Sequence, residues 1–401
     1  MRNKYLLKTN IMLALLFMMN HPLVSADELN GGSDIAAGST VTNTSGAAAV
    51  SRSLNNNGEL YNYGIIYNYG TLNNNGVLYN GGTLNNNITL NSNGRLDNTG
   101  TLNNYRTLNI NGTLNNYSSI SGTGAVNINA QGTLINQGTI TNTGMVINKG
   151  GTFKNFAGGS IGTLVVNVGG TLAVLDGTVS SATNSGTANI SGGTITDLNL
   201  LGGELIYTGG TVTNLTSSGG TINLYTNNTS SFTNLALASF SGSATAIVHT
   251  DIANNTGDRF TISSVTSPST LTLAVGYDPA LSGITSAKTI SNTGYSIVSS
   301  TLANLAVSAR TSEYGAYAIT PLISSSGTFT GFSVDASTNT VGAASAGIRQ
   351  GQMVQVSMDD FAVEQQDDVK CAFFKQGHQL KGSGDFHNQC DIGEGSHASR
   401  H

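Results

Sequence analysis

The sequence predicts an all-β chain wound as a parallel β-helix, and three observations carry that expectation. An apolar residue recurs at every sixth position from Leu54 to Val126, Asn and Gly fill the spaces between, and charged residues make up only 9 % of the 401 residues. Ordinary soluble domains carry roughly 25 % charge, so electrostatics is not the main means by which this chain folds or binds. The net charge of -5 spread over the whole length also argues against a basic nucleic-acid surface.

At the N-terminus, Arg2, Lys4 and Lys8 precede the apolar run from Ile11 to Met19, and Val24 to Ala26 supplies small residues before a cleavage site. This predicts a signal peptide over 1–26, a mature chain beginning near Asp27, and export to the periplasm, the bacterial cell surface or the medium. A short membrane anchor is the alternative, although the run falls short of a span. Residues 27–53 are expected to cap the helix, because an open β-helix exposes unpaired edges at its ends.

The hexads end at Leu54, Leu60, Ile66, Leu72, Leu78, Leu84, Leu90, Leu96, Leu102, Leu108, Leu114, Ile120 and Val126 without a slip. Their consensus is [Asn/Tyr]-Asn-[Asn/Tyr]-Gly-Thr-Leu. A helix would scatter such residues around its cylinder, and repeated Asn and Gly disfavour it further. A short strand and a turn, repeated, place one inward residue on each strand, with Gly at the bend. Three such units close a coil of about 18 residues, and stacked coils pair strand on strand at roughly 4.8 Å. Stacking also explains the Asn: amides one above another donate and accept along the axis, whereas like charges so placed would repel. Tyr61, Tyr63, Tyr67, Tyr69 and Tyr79 are expected to stack on an outer face. The helix is read as right-handed, with a left-handed hexapeptide helix as the alternative for 54–126; a disordered Asn-rich tract is the competitor outside the fold.

A two-residue insertion then moves the apolar phase to Leu134, Ile140 and Val146, and the beat loosens at Phe153, which closes the hexad region at 54–153. From 154 to 240, Gly-Gly-Thr turns separate longer alternating strands such as "TLVVNV" and "ELIY", so coils of variable length are expected. At about 20 residues per coil, residues 54–240 would give roughly nine coils and a rod of about 45 Å.

Around residues 239–264 the chain resembles pertactin-like autotransporter passengers. The resemblance rests on Asp251-Ile252-Ala253 and on Gly257-Asp258-Arg259-Phe260, followed by the strands "LTLAVGY", "YSIVSS" and "YGAYAITPLI". It covers roughly residues 150–330, and it implies that 241–330 forms a folding-promoting C-terminal cap in which Asp251, Gly257 and Asp258 belong to the cap motif. It also implies an outer-membrane barrel of about twelve strands, which needs roughly 200 residues. The residues after Ser345 are too few, so the translocator is expected in trans or lost, and 331–401 is expected to be a linker and a disordered tail.

Polysaccharide-active β-helix enzymes cluster acids with Lys or Arg in a groove. Between Asn55 and Thr250 the acids are Glu59, Asp97, Asp176, Asp197 and Glu204, the bases are Arg95, Arg106, Lys149 and Lys154, and His249 is the one His. Arg95, Asp97 and Arg106 sit at spacings that could share a face, but we read all these groups as solvated side chains and assign no catalytic residue and no cofactor. Asp251 and Asp258 are either Ca²⁺ ligands or turn caps, and capping is the reading adopted. In the tail, Cys371 and Cys390 form a disulfide or remain free thiols, and Cys371, His378, His387 and Cys390 could also make a four-ligand zinc set. The functional expectation is therefore an exported, non-catalytic β-helical passenger. It would act in adhesion to a host-cell or matrix glycan or protein, or in self-association, and a polysaccharide lyase or hydrolase is the alternative.

Overall fold

The computed structural model describes residue 29 and residues 34–44, 46–224, 232–251, 256–276, 288–291, 302, 304–314, 317–324 and 329–336. The expected signal peptide, the Cys371, His378, His387 and Cys390 set and the expected tail beyond 336 lie outside the described residues.

Each early hexad forms a four-residue strand and a two-residue turn, as in Thr71–Asn74 followed by Asn75 and Gly76. Three strands complete a coil, and every strand pairs in parallel with the third strand before and after it. Leu54 thus lies beside Leu72, Leu72 beside Leu90, Leu90 beside Leu108 and Leu108 beside Val126. The result is an all-β parallel solenoid of about ten turns. We call the face built on Ser53–Asn56, Thr71–Asn74, Thr89–Ser92 and Thr107–Ile110 the first face. The second carries Glu59–Asn62, Val77–Asn80, Arg95–Asn98 and Thr113–Asn116. The third carries Ile65–Asn68, Thr83–Asn86 and Thr101–Asn104.

The apolar column runs inside: every residue from Leu54 through Leu114 at hexad spacing, and Ile120 and Val126 after them, is 0 % exposed. The expectation of one inward residue per strand needs correction. In a four-residue strand the second and fourth side chains share a side, so each strand turns both its Leu and its following Asn inward. On the second face Asn62, Asn80, Asn98, Asn116, Asn136 and Asn155 are all fully buried. Burying an amide is costly unless it is bonded, and here the stack supplies the bonds. Asn43 Nδ2 donates to Asn62 Oδ1, Asn62 to Asn80, Asn80 to Asn98, Asn98 to Asn116, Asn116 to Asn136 and Asn136 to Asn155, at 2.7–2.9 Å. The second amide hydrogen of Asn62, Asn80 and Asn98 reaches the carbonyls of Thr83, Thr101 and Ser119. Those carbonyls open the next strand of the next coil, so each buried Asn ties a corner shut while joining two layers.

The ladder also runs into the region expected to form the N-terminal cap. Thr40–Asn43 and Ala47–Val50, assigned to a cap, are strands paired in parallel with Glu59–Asn62 and Ile65–Asn68. The two-residue insertion is absorbed between strands, so that Thr113 pairs with Thr133 and Leu114 with Leu134. The inward phase at the next coil falls on Met145, which pairs with Val126, and not on Val146, which faces out. Both residues are apolar, and the shortened strand Thr139–Ile140, with a three-residue connection to Gly144–Ile147, decides between them. Later coils merge the third and first faces into seven-residue strands such as Ser160–Val166, Thr178–Asn184 and Thr194–Leu200. The parallel ladder then continues through Asn234–Asp251, Arg259–Val265, Ser269–Gly276 and Leu305–Ala309. Lys288–Ser291, Ser312–Tyr314, Tyr317–Ile323 and Phe329–Ala336 form a separate four-stranded sheet.

Candidate functional site

Outside the coils the third residue of each strand and the first turn residue point to solvent, and both columns are rich in Asn. On the first face Asn73 Nδ2 donates to Asn55 Oδ1, Asn91 to Asn73, Asn109 to Asn91 and Asn127 to Asn109. The adjoining turn carries a longer column, in which Asn75 donates to Asn57, Asn93 to Asn75, Asn111 to Asn93, Asn129 to Asn111, Asn148 to Asn129 and Asn167 to Asn148. These outer bonds all run toward the N-terminus, whereas those of the buried column on the second face run toward the C-terminus. Fixed acceptors set both directions. Backbone carbonyls receive the inner amides, and the Asp34 carboxylate accepts two bonds from the Asn55 side chain at 3.0 Å and one from its backbone N–H. Those bonds hold the Asp34 carboxyl below its usual range.

The remaining acids repeat this theme. Asp97 Oδ1 accepts from Asn115 at 2.7 Å, Asp197 from Asn214 at 2.8 Å and Glu204 from Asn223 at 3.1 Å. In each pair the acid lies one coil nearer the N-terminus than the amide that donates to it. Asp176 instead bonds the N–H of Gly177 in its own turn. The solvated charges of the sequence reading are thus mostly acceptors at the ends of short amide columns. Arg95 and Asp97 share the second face as a bidentate ion pair, with Nη2 to Oδ2 at 2.7 Å and Nε to Oδ1 at 3.1 Å. Arg106 does not join them; it lies in the turn before Thr107–Ile110.

The five tyrosines expected to stack together separate into two groups. Tyr67 and Tyr69 stack at 5.8 Å on the third face and its turn. Tyr61, Tyr63 and Tyr79 form a mutual cluster on the second face and its turn, with ring centroids 6.5, 6.0 and 5.6 Å apart. Gly81 makes the cluster possible, since a Cβ there would stand 3.0 Å from the Tyr79 ring and 3.1 Å from that of Tyr63. Tyr61 donates its hydroxyl to Glu59 at 3.1 Å, and Thr99 donates to the Tyr79 oxygen at 2.9 Å. Partial burial, with the Glu59 charge and hydrogen bond beside it, pushes the Tyr61 phenol up to about 12. Burial also raises Tyr63, and Tyr117 is raised by burial and by the nearby Asp97 charge. Glu59, the three rings, Arg95 and Asp97 therefore make one continuous surface that is aromatic in the middle and polar at its rim.

The cap motif is a second built constellation. Thr250 and Asp251 pair antiparallel with Gly257 and Thr256, a short hairpin within an otherwise parallel stack. Asp258 is fully buried and accepts from Thr233 N–H at 2.6 Å, Thr233 Oγ1 at 3.1 Å and His249 N–H at 2.9 Å, with His249 Nδ1 at 2.6 Å. The Asp258 carboxylate thus ties together segments 9 and 25 residues away in the chain, and the Asp251 side chain lies outside the described residues. Sequence reasoning missed Thr233 and His249 as partners, because neither stands at a spacing that marks it. Among the described residues no group of three His, Cys, Asp or Glu stands together as metal ligands would.

A comparison with protein-family models finds no match to this chain, and a comparison with curated proteins finds none either.

Proposed function

We propose that the protein is an exported, non-catalytic β-solenoid of the pertactin-like passenger type that acts in adhesion or self-association. The observation that carries this reading is the use made of the acids. Glu59, Asp97, Asp176, Asp197 and Glu204 each accept a hydrogen bond from a neighbouring coil, ring or turn. The outer surface so organised is a regular array of neutral amides, with tyrosines on the second and third faces. Many weak contacts repeated once per coil bind through avidity, without one strong site. The basic and apolar residues over 1–26 support export, and the motif at Asp251, Gly257 and Asp258 supports the passenger type. A translocator acting in trans, and a host-cell or matrix glycan or protein or a second copy as partner, belong to the same reading.

Binding by such a face should be nearly insensitive to salt, because screening acts on charges and few are present. The secreted chain would be tested for self-association and for binding to cell matrix across a salt series, beside a variant with Tyr61, Tyr67 and Tyr79 replaced by Asp. Salt-resistant binding that the triple variant loses is the expected result; binding that collapses in moderate salt would overturn the neutral-face reading.

One observation favours a second reading, a polysaccharide-active enzyme. Glu59 and Asp97 lie on the same outward face two coils apart, with the tyrosine cluster between them. At strand spacing that separation is about 10 Å along the axis, and because Glu59 aligns with Arg95 the carboxylates stand farther apart than the roughly 6.5–9.5 Å of inverting glycosidases, so a substrate would have to span the tyrosine cluster. Cleavage of a polysaccharide panel that Asp97→Asn abolishes would establish it in place of the first.

A further inference from the structure

Five Asn-Gly pairs occur among the described residues, and four of them, Asn57-Gly58, Asn75-Gly76, Asn93-Gly94 and Asn111-Gly112, occupy the same turn in successive coils. Asn-Gly is the dipeptide most prone to spontaneous loss of the side-chain amide, because Gly offers no side chain to hinder attack by its own backbone nitrogen. The four turns are alike in sequence but not in their bonding. At Asn75, Asn93 and Asn111 both side-chain polar atoms are engaged, Nδ2 with the coil before and Oδ1 with the coil after. The following N–H groups are engaged too: Gly76 donates to Asn56 O at 2.8 Å, Gly94 to Asn74 O at 2.7 Å and Gly112 to Ser92 O at 2.9 Å. The fifth pair, Asn80-Gly81, is held likewise, with Asn80 buried in the inner column and Gly81 N–H on Asn62 O at 2.8 Å.

Asn57 heads the column. Its Oδ1 accepts from Asn75, but among the described residues its Nδ2 has no acceptor and the Gly58 N–H has none. The Asn57 side chain is exposed but Gly58 is buried, so base reaches its N–H when the turn opens, and this turn is held by fewer bonds than its three counterparts. We propose that Asn57 is a site of spontaneous deamidation and that the amide column protects its three counterparts. In the reaction the Gly58 nitrogen loses its proton to solvent base and bonds to Asn57 Cγ, the Cγ–Nδ2 bond breaks, and ammonia leaves with a proton. Water then opens the five-membered imide at either carbonyl, giving aspartate or isoaspartate at position 57. The net change is amide plus water to acid plus ammonia, with no redox partner. The product suits its place, for the outer amides donate toward that end and the neighbouring column is already headed by the Asp34 carboxylate.

The test is peptide mapping by mass spectrometry of the folded full chain during incubation in mildly alkaline buffer, with a parallel sample in denaturant. In the folded protein Asn57 should convert at least about tenfold faster than Asn75, Asn93 and Asn111, the factor that one hydrogen bond is worth. In denaturant the four should converge. Equal rates at the four sites in the folded protein, or faster conversion at any of the inner three, would overturn the proposal. The variant Asn75→Ala, checked for an unchanged circular-dichroism spectrum, removes the acceptor of Asn93 and should raise conversion there. An unchanged rate at Asn93 would refute the column as the protecting element.

Discussion

Replacing Asn98 by Ala separates the two kinds of amide column. Asn98 is 0 % exposed; it accepts from Asn80 at 2.7 Å and donates to Asn116 Oδ1 at 2.8 Å and to Ser119 O at 2.9 Å. Asn80 keeps its bond to Thr101 O, but Asn116 Oδ1 is left buried without its donor. Three bonds at about 1 kcal/mol each, with the orphaned acceptor added, give a loss of about 3–5 kcal/mol. Asn93→Ala breaks two bonds of similar length in the outer column, to Asn75 and from Asn111, yet water replaces them at an exposed turn and the loss should stay below about 1 kcal/mol. Urea unfolding followed by far-ultraviolet circular dichroism would compare the two variants with the parent, read as midpoint shifts because a solenoid need not unfold in one step. Equal shifts for Asn98→Ala and Asn93→Ala would refute the argument that burial, and not bond geometry, sets the worth of each rung.

Other substitutions test neighbouring features. Gly76→Ala places a Cβ 2.1 Å from Gly58 O and should cost more than about 2 kcal/mol in thermal unfolding, whereas Gly162→Ala, with nothing within 4 Å, should be close to neutral. Because the folded Tyr61 phenol titrates near 12 and an unfolded one near 10, its contribution to stability is complete below 10 and is lost as pH rises through 12. Spectrophotometric titration should show a late group of tyrosines that includes Tyr61 with Tyr63, Tyr117 and Tyr207, and Glu59→Gln should move the Tyr61 component down only part of the way, since burial is the larger cause. Asp258→Ala leaves Thr233 N–H and the buried His249 without their shared acceptor and should destabilise the C-terminal coils by about 3–5 kcal/mol, seen as earlier proteolysis there.

The six-residue period was enough to read the solenoid, because only a coil of short sides lets Leu54, Leu72 and Leu90 meet. It did not show that Asn74 or Asn98 turns inward, since polarity alone argues for the surface and only stacking supplies the amide with partners. Val146 was misread because Met145 beside it is equally apolar and the shortening of the strand Thr139–Ile140 that chooses between them leaves no mark in composition. The tyrosine cluster depends on a corner that brings the turn residue Tyr63 over Tyr61 and Tyr79. The role of Asp97 was within reach: it stands 18 residues before Asn115, one coil away in the column where an amide is the rule. No comparable spacing ties His249 to Asp258 and Thr233, which a hairpin and a long return bring together.

The opposed directions of the inner and outer amides give a coil edge a polarity. Cut between two coils of the early stack, the exposed edge of the N-terminal piece presents N–H groups at the buried column and oxygens at the outer ones, and the facing edge of the C-terminal piece presents the reverse. Two edges of the same kind would meet donor against donor and acceptor against acceptor, so a twofold-symmetric pairing of like ends is discouraged. Unlike ends are complementary, and an exposed edge can be extended only head to tail, the arrangement that generates open filaments and not closed dimers.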